Sequence, residues 1–191
     1  TDCAIAFCER LKEGGLKPML YTGVRMQTLD MQRVQDLIGC PTWHDMRRGT
    51  QRCVPTAYGD VVLARKDFPA SYHLAVVVDD ALSGVNEVVR GNDLLSSTPR
   101  QMYLQEKLGF AHPVYGHVPM LLAPDGRRLS KRDRDLDLGE LRKRVTAEQL
   151  LGKLAHSAGI IDRSEALSAR ELAAEFSWEK LRGDAIYLDS I

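Results

Sequence analysis

The sequence predicts an α/β fold followed by a small helical part, and three observations carry that expectation. Between residues 59 and 135, short β-branched runs alternate with helix-like stretches. Turn residues separate these runs, and beyond residue 136 only helical patterning continues. A length of 191 residues suits one domain with a small appendage.

The elements follow in chain order. Asp2 as a cap, an apolar stripe through Ile5, Cys8 and Leu11, and Gly14-Gly15 as a stop predict a first helix. Met26 to Ile38 reads as helical, with Leu29, Val34 and Leu37 on one face, and Gly39-Cys40-Pro41 breaks it. Trp43 to Gln51 has no clear period. Val61, Val62 and Leu63 read as a strand. The run Leu74 to Val78 is apolar throughout, so periodicity leaves strand and helix both open. Val85 to Arg90 reads as a strand before Gly91. Thr98 as cap, Pro99 at the first helical position and Gly109 as terminator predict a helix. His117 to Leu122 reads as a strand running into the turn Pro124-Asp125-Gly126. Thr146 with Gln149 and Ser168 with Glu171 are capping boxes that open two helices, and Trp178 to Leu181 forms a third, short one.

Charge and composition narrow the function. With 26 Lys+Arg against 26 Asp+Glu the net charge is zero, so contact with nucleic acid must come from a local patch. Apolar residues at 44% exclude a disordered chain, and no run reaches the roughly 18 apolar residues of a membrane span. Four cysteines are too few for a disulfide scaffold, which points to a reducing, cytoplasmic setting.

The densest cluster of chemistry is Gly126-Arg127-Arg128-Leu129-Ser130-Lys131-Arg132-Asp133-Arg134. Five of the eight residues from Arg127 to Arg134 are basic, and they follow a strand and a tight turn. Such a loop can bring an ammonium to polyphosphate oxygens. A solvated basic loop is the plain alternative, because charge runs are usually exposed faces.

Arg128-Leu129-Ser130-Lys131-Arg132 resembles the signature loop of class I aminoacyl-tRNA synthetases. Together, SYHLAVVVDDALSGVNEVVRGNDLLSSTPRQMYLQEKLGF and YGHVPMLLAPDGRRLSKRD resemble the glutamyl-tRNA synthetase family over about 65 residues. The likeness begins near Trp43-His44-Asp45-Met46-Arg47-Arg48-Gly49 and fades after Arg134. Val76, with the spellings Leu-Ala-Val-Val-Val-Asp-Asp and Val-Arg-Gly-x-Asp-Leu-Leu, is more similar to the glutamyl-queuosine branch of that family. The 57 residues after Arg134 are too few for an anticodon-binding region like that of the full synthetases.

The resemblance implies a Rossmann-like nucleotide-binding fold, of which this chain carries a part. Its implied divisions are an insertion-like segment over 1–58, the second half of the catalytic fold over 59–135 and a helical part over 136–191. It implies ATP with Mg2+, glutamate and tRNA as partners, with queuosine of tRNA(Asp) as acceptor rather than tRNA(Glu), in a monomer that touches no membrane. Arg90 matches the family's glutamate-binding arginine and Tyr72 its amino-acid-binding tyrosine. Asp93, His117, Arg128, Leu129, Ser130, Lys131 and Arg132 fall at ATP-binding positions, with Lys131 as the catalytic cation that meets charge developing on the phosphates. Arg47 and Arg48 fall where the acceptor end of tRNA would lie.

Two departures from the family pattern stand out. None of His44, His73, His112, His117 or His156 sits in a His-x-Gly-His signature, so the resemblance implies that half of the phosphate site lies outside this sequence. Cys3, Cys8, Cys40 and Cys53 form no close pair of the zinc-binding kind, and no zinc is expected. A synthetase charging tRNA(Glu) and a non-catalytic nucleotide- or RNA-binding remnant remain as alternatives.

Overall fold

The computed structural model describes residues 16–21, 24–65, 70–129, 138–181 and 183–188. The helix expected over 2–15, Cys3 and Cys8, and the loop residues Ser130, Lys131 and Arg132 lie outside them. The described residues fall into two compact units. One runs to residue 89 and takes in 94–116; the other joins 90–93 to the chain from 117 onward.

In the first unit, β1 (Leu16–Tyr21) and β2 (Val24–Leu29) pair antiparallel. Residues 26–29 therefore belong to a strand, not to the helix expected from Met26. The helix begins only where Asp30 caps it, its carboxylate accepting from the Arg33 N–H at 3.1 Å, and α1 spans Met31–Ile38. Met31 and Val34 face the core, whereas Leu37, expected on the same face, is 51% exposed. The unpatterned stretch after Pro41 is a hairpin of β3 (Thr42–Asp45) and β4 (Gly49–Arg52).

The strand expected at Val61 forms as β5 (Val61–Arg65), which pairs antiparallel with β2. The apolar run at 74–78 resolves as helix: α2 spans Tyr72–Leu82 and buries Leu74 and Val77, three residues apart on one face. Next come β6 (Glu87–Gly91) and α3 (Thr98–Leu108), the latter closed by Gly109 in the left-handed conformation. Its N-cap is Ser97, one residue earlier than expected, with Pro99 in the first turn. Leu29, Met31, Val34, Val61, Leu63, Leu74, Val77, Tyr103 and Leu104 make one buried apolar cluster.

The strand expected over 117–122 is split at Pro119, which has no N–H to give a ladder. Upstream, β7 (Val114–Val118) joins the sheet ordered β4-β3-β7-β6, with Asp45 and Tyr115 in parallel register. Downstream, β8 (Met120–Leu122) pairs in parallel with β9 (Ala185–Tyr187). That last strand corrects the expectation of a wholly helical C-terminal part. The expected turn forms with Gly126 at φ 81°, and Arg128 bridges back to Leu122.

Beyond a short α4 (Leu138–Leu141), both capping boxes form, opening α5 (Ala147–Ser157) and α6 (Ala169–Glu175). Trp178–Lys180 is a single 3-10 turn. Among the described residues no helix is long and apolar enough to cross a membrane.

Candidate active site

The end of β6 places the most chemistry in the fewest residues. Side chains alternate along a strand, so Val89 is turned outward and Arg90 inward. On neighbouring β7, His117 has no exposed surface. Arg90 Nε–H donates to His117 Nε2 at 3.1 Å. An arginine can only donate, so His117 Nε2 holds its lone pair and the ring proton sits on Nδ1. The bond sets the plane of the Arg90 guanidinium.

Gly91 follows at once, and a side chain there would have no room. A β-carbon on Gly91 would come within 2.6 Å of Asp93 Oδ1 and 3.3 Å of Met120 Sδ. The glycine thus lets the 3-10 turn Asn92–Ser97 fold Asp93 back over the strand end. Asp93 meets Arg128, the Nη2–Oδ2 separation being 3.2 Å with both groups partly open to solvent. An ion pair so exposed contributes only about 0–1 kcal/mol. Its geometric result is that the first residues of the basic loop are tied to the end of β6.

Four expected site residues, Arg90, Asp93, His117 and Arg128, are therefore linked in two pairs within one unit. Leu129 is half-buried beside them in sequence. Tyr72 opens α2 in the other unit, 52% exposed, its ring edge-on to His73 at 5.4 Å. Arg47 and Arg48 sit in the β3–β4 turn, where their backbone N–H groups donate to the fully buried Asp45 at 3.1 and 2.9 Å. Asp45 was not singled out from sequence, although an Asp followed by a turn two residues on is a local signal for this bond.

A cavity of about 770 Å³ lies between the segment 159–167 and α6, lined in part by Asp162, Arg163, Glu165, Glu171, Glu175 and Lys180. Its lining includes none of the residues above, and its mixed charge favours no single ligand. Among the described residues no three His, Cys, Asp or Glu side chains stand close enough to share a metal ion. Cys40 is half-buried and Cys53 buried, both as free thiols. Burial pushes the Cys53 thiol up to about 11 against the opposing pull of Arg100.

Comparison with known proteins places the chain in a family. A family model described as tRNA synthetases class I (E and Q), catalytic domain, matches residues 24–179. A glutamyl-Q tRNA(Asp) synthetase of Symbiobacterium thermophilum is 46% identical over 72% of this chain and 43% of its own length. One from Nocardia farcinica is 49% identical over 64% of this chain and 38% of its own. The chain thus spans less than half the length of these relatives. A glutamate tRNA ligase from Elizabethkingia meningosepticum, solved with its amino acid, shares the fold at a TM-score of 0.68. That likeness covers 97% of this chain and 39% of the ligase at 22% identity. With most of its residues inside the matched span, the chain belongs to the class I tRNA synthetases of the E and Q type, within their catalytic domain.

Proposed function

We propose that this chain is part of an enzyme that activates glutamate with ATP and transfers it to queuosine of tRNA(Asp). The observation that carries the reading is the end of β6, where a fully buried histidine holds Arg90 by its Nε–H. The relatives named glutamyl-Q tRNA(Asp) synthetases supply the acceptor. In this scheme a glutamate carboxylate oxygen attacks the α-phosphorus of ATP and pyrophosphate leaves. A queuosine hydroxyl then attacks the acyl carbon and AMP leaves.

Each residue has a defined task. Arg90 takes the substrate carboxylate with its planar fork, the geometry that suits a paired carboxylate. His117 serves through Arg90, since its Nε2 is already engaged. Tyr72 gives its hydroxyl to the amino acid, and Asp93 a carboxylate to the ribose. Arg128, Leu129, Ser130, Lys131 and Arg132 form the loop over the phosphates, with Lys131 acting only as strongly as its contact tightens in the transition state. Arg47 and Arg48 contact tRNA phosphates, so that binding weakens with salt.

Mg2+ would enter bound to the triphosphate. Among the described residues no carboxylate cluster is built to hold it, which fits an ion that keeps most of its ligands from water and phosphate. Residues 1–58, 59–135 and 136–191 correspond in this reading to insertion, nucleotide fold and C-terminal part.

The test is calorimetric titration of the complete polypeptide with a non-hydrolysable glutamyl-adenylate mimic. Micromolar or tighter binding is expected, and Arg90→Ala should weaken it by at least about thirtyfold, the loss expected when one partner of a buried charge pair is removed. Binding indifferent to Arg90→Ala rules out the assignment. Charging of tRNA(Glu) in preference to queuosine-containing tRNA(Asp) would keep the chemistry and overturn the acceptor.

A further inference from the structure

Arg100 lies in the first turn of α3, in a setting that gives its Nε–H no acceptor. Ser97 makes no side-chain cap and the turn contains no acidic residue. The guanidinium is partly buried, its Nε is closed off from solvent without a hydrogen-bond partner, and among the described residues Arg100 forms no ion pair. Its neighbours are the ring of Tyr58, 5.7 Å from the guanidinium carbon to the centroid, and the buried thiol of Cys53. Burial lowers the Arg100 pKa below the ordinary arginine value, against the opposing pull of Cys53 and Tyr58.

A guanidinium carries five N–H donors in a fixed fork. Taking such a group partly out of water without a carboxylate partner is costly, because the desolvation is not repaid by attraction. Proteins seldom leave a buried polar group in that state without a reason. The aromatic contact returns only part of that cost. The remaining donors suit an oxyanion, and the helix N-terminus adds a partial positive charge on the same side.

The second part of the arrangement says which oxyanion. Tyr58 is 45% exposed, so a ligand can reach it from solvent. Exposed aromatic rings beside arginine are what unpaired bases stack upon. Arginine also pairs with phosphate in two parallel bonds, a geometry that lysine cannot match.

We propose that Arg100 and Tyr58 form a nucleotide site, with a phosphate on the Arg100 fork and the base or ribose over the Tyr58 ring. The phosphate can belong to a free mononucleotide or to a single-stranded RNA, and the chemistry recognised is the same. The site does not depend on the strand-end reading above, and its test does not need catalysis.

Three probes are titrated into the protein at low salt: inorganic phosphate, 5′-AMP and a single-stranded RNA hexamer. AMP and the hexamer should bind more tightly than phosphate, and tighter binding of the hexamer than of AMP identifies RNA as the source. Arg100→Met should weaken the AMP and hexamer interactions at least tenfold while leaving Tm unchanged or raised, since an unpaired buried charge has gone. Tyr58→Leu should weaken AMP and hexamer but not phosphate. The difference between wild type and variant separates this site from any other that takes AMP. Affinities unchanged in Arg100→Met, or a wild type that binds none of the probes, overturn the proposal. Equal affinity for phosphate and AMP removes the role of Tyr58. Should Arg100→Met not fold, unchanged AMP and hexamer binding in Tyr58→Leu overturns the proposal equally.

Discussion

The middle of α5 and the end of β6 each depend on a glycine, and what presses against that glycine differs. A β-carbon on Gly152 would lie 1.6 Å from the carbonyl oxygen of Glu165 and 2.7 Å from its carbon. That neighbour is backbone, and it is pinned, because the Leu167 N–H donates to the Glu148 carbonyl at 3.1 Å. A β-carbon on Gly91 would meet the carboxylate of Asp93, a side chain free to rotate away. The two sites ask for the same residue for opposite reasons. At Gly152 the close approach holds the helix against the segment at 165–167, whereas at Gly91 it leaves room for a functional group. Damage at the first should appear as lost stability, and damage at the second as lost binding.

The largest expected effect tests the first half of that contrast. Gly152→Ala would gain about 1 kcal/mol of helix propensity. The overlap with a fixed carbonyl outweighs this, since overpacking costs about 1–3 kcal/mol even where neighbours can shift. We expect a net loss of at least about 3 kcal/mol, seen as a fall in Tm of roughly 6–12 °C by thermal melting. An unchanged or higher Tm would show that the segment yields, and the contrast would be lost.

A smaller effect tests the second half. Gly91→Ala should leave Tm within about 2 °C, because Asp93 can swing out at little cost. The displaced carboxylate loosens its pairing with Arg128, and affinity for the adenylate mimic should fall about tenfold, or 1.4 kcal/mol. A melting temperature reduced as far as that of Gly152→Ala would make both glycines structural.

How much of this could be read from the sequence depends on the range of the interaction. Capping boxes at Thr146 and Ser168 were legible because their bonds close within three residues. Arg90, Gly91 and Asp93 were legible because a strand, a glycine and an acid follow one another in a stretch that resembles a known family. The helical state of 74–78 was not, since an all-apolar run carries no period, and the choice is made by packing on the cluster that includes Leu29 and Tyr103. Residues 26–29 misled because Leu29 and Leu37, eight residues apart, happen to sit at helical spacing while the strand partner lies at Val61. Likewise β9 finds its partner β8 more than sixty residues upstream, beyond any local signal. Arg100 was invisible for a further reason: lacking a partner is a property of the assembled neighbourhood, and no string of residues spells it.

The sharpest test of the contrast gives the smallest effect. If Asp93 is what Gly91 makes room for, the two substitutions must be coupled, because removing the carboxylate removes the overlap. In an Asp93→Ala background, the nearest of the atoms around the new β-carbon of Gly91→Ala is Met120 Sδ at 3.3 Å, the far end of a flexible side chain. The double variant should therefore bind the adenylate mimic within about twofold of Asp93→Ala alone, and melt within about 1 °C of it. No such coupling partner can exist for Gly152, whose neighbour is a peptide carbonyl present whatever residue stands at 165. Losses that simply add at Gly91 and Asp93 would mean that the glycine serves the backbone of the strand end itself, and the distinction between a yielding and an unyielding neighbour would fail there.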